Sequence, residues 1–236
     1  MIMYIYGKNV IYEKLLNNSK INKLYLSKKF NDKKILDLLK DKNIDIAYLD
    51  NFKLDKMVNG LHQGIIAQVD DYKTYDLKEI TNSINKEYPL VVMLDHIEDP
   101  HNFGAIIRTS EALGVDAIII PEDRSVGINS TVIKTSVGAI ENIKIIKVTN
   151  LVNTIKYLKD RGYWIIGTDM SSTSISDIDY KMPICLVIGN EGKGISRIVR
   201  ENCDYIASIP MTGKVNSLNA SVAAGIIIYE IINKRG

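Results

Sequence analysis

Residues 90–121 read LVVMLDHIEDPHNFGAIIRTSEALGVDAIIIP. An apolar, β-branched run ends in Asp95, a polar loop follows, a helical pattern extends to Gly114, and a second apolar run, VDAIIIP, begins at once. Strand, helix and strand within about thirty residues is the parallel crossover unit. In the helical part Phe103, Ile106, Ile107 and Leu113 recur at core spacing, while Ala105, Arg108 and Ala112 share another face. Asn102 is expected to cap this helix and Gly114 to end it. Arg108 among small residues can approach a ligand closely or pair with Glu111 at the surface, and the stretch alone leaves both open.

The same alternation continues outward. Downstream, IENIKIIKV, YWIIGTD, PICLVIGN and YIASIP read as strands with helices between them, apolar throughout as in a parallel sheet covered on both faces. Such sheets bind ligands beyond the carboxyl ends of their strands. Upstream, IMYIYG, INKLYLS, IDIAYL and GIIAQVD read as strands, with NVIYEKLLNN, NDKKILDLLKDK and NFKLDKMVN as intervening helices. Between these blocks the charged stretch ending at Pro89 loses the strand pattern. The expected organisation is a small α/β domain over residues 1–71, a linker over 72–88 and a larger α/β domain over 89–236.

Of the 236 residues 46% are hydrophobic, enough to build a core, and the net charge of +2 does not by itself announce a nucleic-acid binder. Residues 1–71 nevertheless hold 12 Lys against 9 Asp and Glu, which allows weak attraction to phosphates. The two cysteines, Cys185 and Cys203, form no paired motif, so neither a zinc site nor a disulfide framework is implied, and both are read as apolar filling. No apolar run reaches the roughly 20 residues of a membrane span, and the N-terminus lacks the signature of a secretion signal. The expected compartment is the cytoplasm.

Two further strand ends carry polar residues. In VIGNEGKGIS, residues 187–196, Gly189, Gly192 and Gly194 permit close backbone approach, yet neither standard phosphate-cradling glycine motif is present. Glu191 reads as an acid buried in that turn without a structural task. In IPMTGKVNSLNASVAAGIII, residues 209–228, Asn216 or Ser217 is expected to cap a helix, and Ser217 and Asn219 bracket Leu218. Ala220, Ser221, Ala223, Ala224 and Gly225 would let another backbone come close.

Together these three patches resemble the SpoU, or TrmH, family of RNA ribose 2′-O-methyltransferases within the SPOUT class. The matching residues are D-P-x-N-x-G-x-x-x-R, G-N-E-G-x-G, and I-P-M followed by S-L-N-x-S. The resemblance spans residues 89–236, and the stretch opening YGKNVIYEKL is similar to the substrate-binding domain of the family's ribosomal-RNA members. Within the family the chain most resembles the RlmB group, which methylates a guanosine of large-subunit (23S) ribosomal RNA. The resemblance implies a mainly parallel sheet with a deep trefoil knot, S-adenosylmethionine as methyl donor with no metal, an RNA substrate, and a homodimer. It also leaves open another ribosomal nucleotide, a transfer RNA, or an RNA-binding assembly factor that has kept the fold and lost catalysis. The knot follows from resemblance alone, because chains as a rule do not thread loops.

The resemblance also assigns roles. Arg108 activates the ribose hydroxyl, with Asn102 orienting it, and Glu191, Ser217 and Asn219 complete the catalytic set. Thr168, Ile188, Gly189, Ile209, Met211 and Leu218 form the cofactor pocket. An arginine, with a solution pKa above about 12, is a poor base. Either a desolvated site lowers the cost of its losing a proton, or it stays charged and stabilises an oxyanion; the second is preferred on physical grounds. His101 is read as a substrate-side contact at most. Tyr4, Tyr6, Tyr25 and Tyr48 are read as packing in a half-buried sheet rather than stacking on bases. Lys8, Lys28, Lys29, Lys33 and Lys34 are candidate phosphate contacts.

Overall fold

The computed structural model describes residues 2–70, 72–214 and 217–236, so Asn216 lies outside the described residues. The chain divides into two compact units, one of residues up to Tyr72 with Ile128–Glu141, the other of Lys73–Gly127 with Asn142–Gly236.

In the first unit, strands β1 (Ile2–Tyr6), β2 (Lys23–Ser27), β3 (Ile46–Leu49) and β4 (Ile65–Asp70) alternate with helices α1 (Lys8–Leu16), α2 (Lys33–Lys40) and α3 (Asn51–Asp55). The sheet order is β1-β4-β2-β3. β4 runs antiparallel to both neighbours, and β2 and β3 are parallel. Period-two alternation puts Ile5, Leu24, Leu26, Ile65 and Ala67 on one face, all of them inaccessible to solvent. On the other face Tyr6 and Ile66 pack with Leu54 of α3. The segment Ile128–Glu141 adds a short helix to this unit.

In the second unit the first helix, α4 (Leu77–Ser83), lies in the stretch read as linker. Asp76 caps it by accepting from the amides of Lys78 and Glu79, and the Tyr75 amide donates to the carbonyl of Ile145. Six strands follow: β5 (Leu90–Asp95), β6 (Ala117–Pro121), β7 (Lys144–Val148), β8 (Trp164–Ser174), β9 (Ile184–Gly189) and β10 (Tyr205–Ser208). The helices of residues 100–235 are α5 (Pro100–Ala112), α6 (Ser130–Ser136, in the first unit), α7 (Leu151–Lys159), α8 (Arg197–Arg200) and α9 (Ala220–Arg235). All strand pairs of this sheet are parallel, in the order β10-β8-β9-β5-β6-β7. The apolar character of β5, β6 and β9 is explained by complete burial.

From β5 the chain builds β6 and β7 to one side, then crosses to β8 and returns with β9 beside β5. The β5–β9 boundary is therefore the topological switch, where such folds place ligands. There the carboxyl ends meet, Asp95 opposite Gly189. Cys185 is fully buried and its thiol is pushed up by that burial, while burial raises Cys203 to about 12; both behave as the apolar filling expected of them. Among the described residues no helix is long and apolar enough to cross a membrane.

Candidate functional site

Two helix starts differ from expectation, and both differences shape the site. α5 is capped by Asp99, whose side chain accepts from the His101 amide, with Pro100 at the first helical position. Asn102 is therefore not the cap: it sits inside the first turn and is buried at 6% exposure, its amide free for tertiary contacts. α9 is capped by Asn219, whose Oδ1 accepts from the Ser221 and Val222 amides, so Ser217 is not the cap either.

These two asparagines and Glu191 form one hydrogen-bonded chain. The Asn219 amide donates to Asn102 Oδ1 at 2.9 Å, and the Asn102 amide donates to Glu191 Oε1 at 2.6 Å. Residues 117 and 89 positions apart are thereby joined, and the cap on α9 fixes which way the Asn219 amide points. Glu191 is not buried as expected. It is exposed, and Asn102 is its hydrogen-bond partner among the described residues.

The loop carrying Glu191 is a tight reversal in which Asn190 and Gly194 exchange backbone hydrogen bonds of 3.0 and 2.8 Å. Asn190 shapes it from within, donating to the His96 carbonyl and accepting from the Gly192 and Lys193 amides. Asp95, 1% exposed, holds the far side by accepting from the Ser196 amide at 2.6 Å and pairing with His96 at 2.5 Å. A Cβ on Gly189 would fall 2.2 Å from the Gly194 carbonyl carbon and 2.3 Å from the Ile195 nitrogen. The loop's own backbone fills the place of a side chain there.

Between this loop and the start of α9 lies a cavity of about 320 Å³. Thr168, Ile188, Gly189, Ile209, Met211 and Leu218 all line it, as do Glu191 and Ser217. Met211 and Leu218 are 37% and 38% exposed, large apolar surface left open at the cavity wall. Thr168 is oriented by donating to the Val187 carbonyl at 3.1 Å. Asp169, which sequence reasoning missed, also lines the cavity and is ion-paired with Arg200. The missed Asn190 and Asp95 left signals, an asparagine beginning a glycine turn and an acid ending an apolar strand.

Arg108 stands apart. It is exposed, it does not line the cavity, and its side chain has no hydrogen bond or ion pair among the described residues, so the alternative pairing with Glu111 is absent. His101 is exposed as well. Among the described residues no group of three His, Cys, Asp or Glu side chains is placed to hold a metal ion.

Residues 89–229 match the SpoU rRNA Methylase family, and residues 4–75 match the domain described as RNA 2'-O ribose methyltransferase substrate binding. The chain belongs to the SpoU rRNA methylase family. It is 44% identical to the "Putative TrmH family tRNA/rRNA methyltransferase YacO" of Bacillus subtilis (strain 168), over 98% of this chain and 96% of that protein. The crystal structure of the SpoU methyltransferase AviRb from Streptomyces viridochromogenes, in complex with the cofactor AdoMet, superposes with a TM-score of 0.86 at 26% identity. It covers 99% of this chain and 90% of AviRb. The TrmH/SpoU tRNA modifying enzyme of A. aeolicus, 35% identical, has a TM-score of 0.58 and covers 67% of this chain and 83% of its own.

Proposed function

We propose that this protein transfers a methyl group from S-adenosylmethionine to a ribose 2′-hydroxyl of RNA, within an RlmB-type reading that takes a guanosine of 23S ribosomal RNA. The observation that carries the reading is the convergence of residues 168–169, 188–194 and 207–227 on one cavity, with Asn102 of α5 tied to it through the Asn219–Asn102–Glu191 chain. A ribosomal target is favoured by the match of residues 89–229 to the SpoU rRNA Methylase family and by the overlay of the tRNA modifying enzyme on only 67% of this chain, which leaves the substrate-binding match over residues 4–75 as a separate RNA-contacting part. A role on ribosomal RNA puts the protein in the cytoplasm.

The cavity fits the cofactor on its own features. Its volume lies at the lower end of the roughly 300–1,000 Å³ of small-molecule sites, and it offers apolar walls from Ile188, Ile209, Met211 and Leu218 beside polar groups of the 189–194 loop. When bound there, S-adenosylmethionine supplies a sulfonium methyl. The chain's residues then have three tasks: to hold the ribose oxygen in line with that methyl, to exclude water from the line of transfer, and to let the hydroxyl proton pass to solvent as the oxygen–carbon bond forms and the sulfur–carbon bond breaks, leaving S-adenosylhomocysteine. Orientation of this kind contributes about 7–11 kcal/mol relative to the reaction between free partners. Glu191 and Ser217 face the cavity and are assigned to the target nucleotide, with Asn102 and Asn219 as positioning residues behind Glu191.

Arg108 is assigned the developing charge on the ribose oxygen, held as a cation and not as a base. Since it lies off the cavity of its own chain, the reading requires a homodimer in which Arg108 of one copy reaches the cavity of the other. Exposed Val222, Ile226 and Tyr229, at i, i+4 and i+7 on α9, offer an apolar stripe for that association. Titration calorimetry with S-adenosylmethionine, together with mapping of ribosomal 2′-O-methyl sites in cells with and without the gene, tests the reading. Heat of binding and one lost 23S site are expected. No binding, or an unchanged methylation map, would remove the activity.

A further inference from the structure

We propose that the loops at one end of the first sheet form the RNA-contact surface of that unit, and that the side-chain amide of Gln63 is its sequence- or sugar-reading donor. This rests on the RNA methyltransferase reading above and adds to it a location and a chemistry.

Four loops converge at this end, because β1, β2 and β3 finish where antiparallel β4 begins. They carry Gly7 and Lys8, Lys28 to Asp32, Asp50, and Leu61 to Gly64. Lys28, Lys29, Lys33 and Lys34 are exposed, Lys8 is half-buried, and the side chains of Lys29, Lys33 and Lys34 have no ion pair or hydrogen bond among the described residues. The nearby carboxylates are already engaged: Asp32 with Lys8 at 3.1 Å, Asp50 with Lys28 at 3.2 Å, and Asp55 with His62 at 2.9 Å. A surface with spare cations, and with Phe30 under the Lys8 ammonium at 5.5 Å, suits a phosphate backbone.

Gln63 is held at the centre in an unusual way. Its φ is 54°, the left-handed region that a residue with a Cβ seldom adopts. The strain is imposed by its neighbours. His62, 8% exposed, accepts from the Gly64 amide on Nδ1, which fixes the proton on Nε2 for donation to Asp55. Gln63 Oε1 accepts from the Lys8 amide at 2.9 Å and so caps α1, whose own N-cap residue, Gly7, has no side chain to do so. With the oxygen taken, the exposed end of Gln63 is an NH₂ group whose two donors point away from the helix. Bases, 2′-hydroxyls and phosphates all present acceptors to such a group, and unpaired RNA presents them unshielded.

Capping and RNA contact separate on substitution. Gln63→Glu keeps the capping oxygen and removes both donors, whereas Gln68→Glu makes the same charge change on the face of the sheet, keeping the oxygen that accepts from Tyr25. Filter binding of an unmodified 23S ribosomal RNA transcript should show Gln63→Glu weaker by about tenfold to a hundredfold, and Gln68→Glu within twofold. The Tm and S-adenosylmethionine affinity of Gln63→Glu should equal those of the parent. Replacing Lys29, Lys33 and Lys34 by Ala should reduce the slope of log affinity against log salt by about 0.7 for each lysine. Unchanged affinity in Gln63→Glu, or equal losses in both glutamate variants, would overturn this surface alone. A parental chain that binds S-adenosylmethionine but no RNA would remove the RNA reading and this surface with it.

Discussion

Two glutamates, one in each unit, show how differently the same side chain can be used. Glu141 accepts from Lys14 Nζ at 2.8 Å, from Ser19 Oγ at 3.0 Å and from the Tyr72 hydroxyl, and its side chain is 19% exposed. Glu191 accepts from Asn102 and otherwise faces the cavity and solvent. The first carboxylate has its lone pairs filled by its own unit, with Lys14 buried at 7% exposure beside it. The second is oriented and left with capacity to spare. Saturation marks a group that holds structure together, and an oriented but unsaturated group at a cavity marks one available to a ligand.

The largest effects should come from breaking the frame of the second site. Gly189→Ala puts a methyl inside the backbone of the 190–195 turn, so the loop must move, and cofactor binding should weaken by at least about a hundredfold in calorimetry. Retained affinity would mean that the loop is not part of the pocket. Arg108→Lys should lower turnover by about a thousandfold with Tm within about 1 °C, because a point charge does not replace the planar fork and the exposed side chain supports no packing. Near-parental turnover would cancel its assigned role.

Alanine at each glutamate sharpens the contrast. Glu191→Ala should cost on the order of a hundredfold in turnover with little change in Tm. Glu141→Ala strands the buried Lys14 ammonium, a loss of roughly 3 kcal/mol, or about 6–12 °C in Tm, with turnover per folded molecule preserved. Restoring neutrality with Lys14→Met and Glu141→Gln together should recover most of that loss, since the Gln oxygen still accepts from Tyr72 and its NH₂ group can donate to Ser19 Oγ. If the Glu191 variant lost stability and the Glu141 variant lost turnover, the comparison would be inverted.

Legibility in the sequence followed the range of the interaction. Strands β1 to β10 were readable because alternation and apolar runs are local, and the three polar patches stood out where apolar strands ended. The start of α5 lies three residues before the cap expected at Asn102, because Asp99 followed by Pro100 is the stronger local signal. Helix α4 leaves a weak local pattern because it is short and polar, although Asp76 three positions before Glu79 is a capping pattern. No local signal places β9 between β8 and β5, joins Asn219 to Asn102, or gathers Ile128–Glu141 into the first unit. These are tertiary pairings, decided by which apolar faces find each other. The exposure of Glu191 was likewise hidden, because the glycine turn around it closes on its own backbone.

The smallest expected effect concerns acid. Burial by itself pushes the Glu141 carboxyl up, but the Lys14 ammonium and the Tyr72 and Ser19 hydroxyls outweigh it and hold the group below the ordinary glutamate value. A carboxyl whose pKa is depressed by folding binds fewer protons folded than unfolded. Its contribution is therefore complete above the unfolded value of about 4.3 and drains away as pH falls through the folded value. Tyr72 works at the opposite end of the scale: burial, then the Glu141 hydrogen bond, raises it far above 10, so its contribution is complete below about pH 10 and falls as pH rises beyond that. Denaturation followed by tyrosine fluorescence at pH 7, 4 and 3 should show the parent losing more stability between pH 4 and 3 than Glu141→Gln does. Equal acid sensitivity in the parent and Glu141→Gln would mean that the three donors do not favour the carboxylate over its protonated form, and the distinction between the two glutamates would rest on geometry alone.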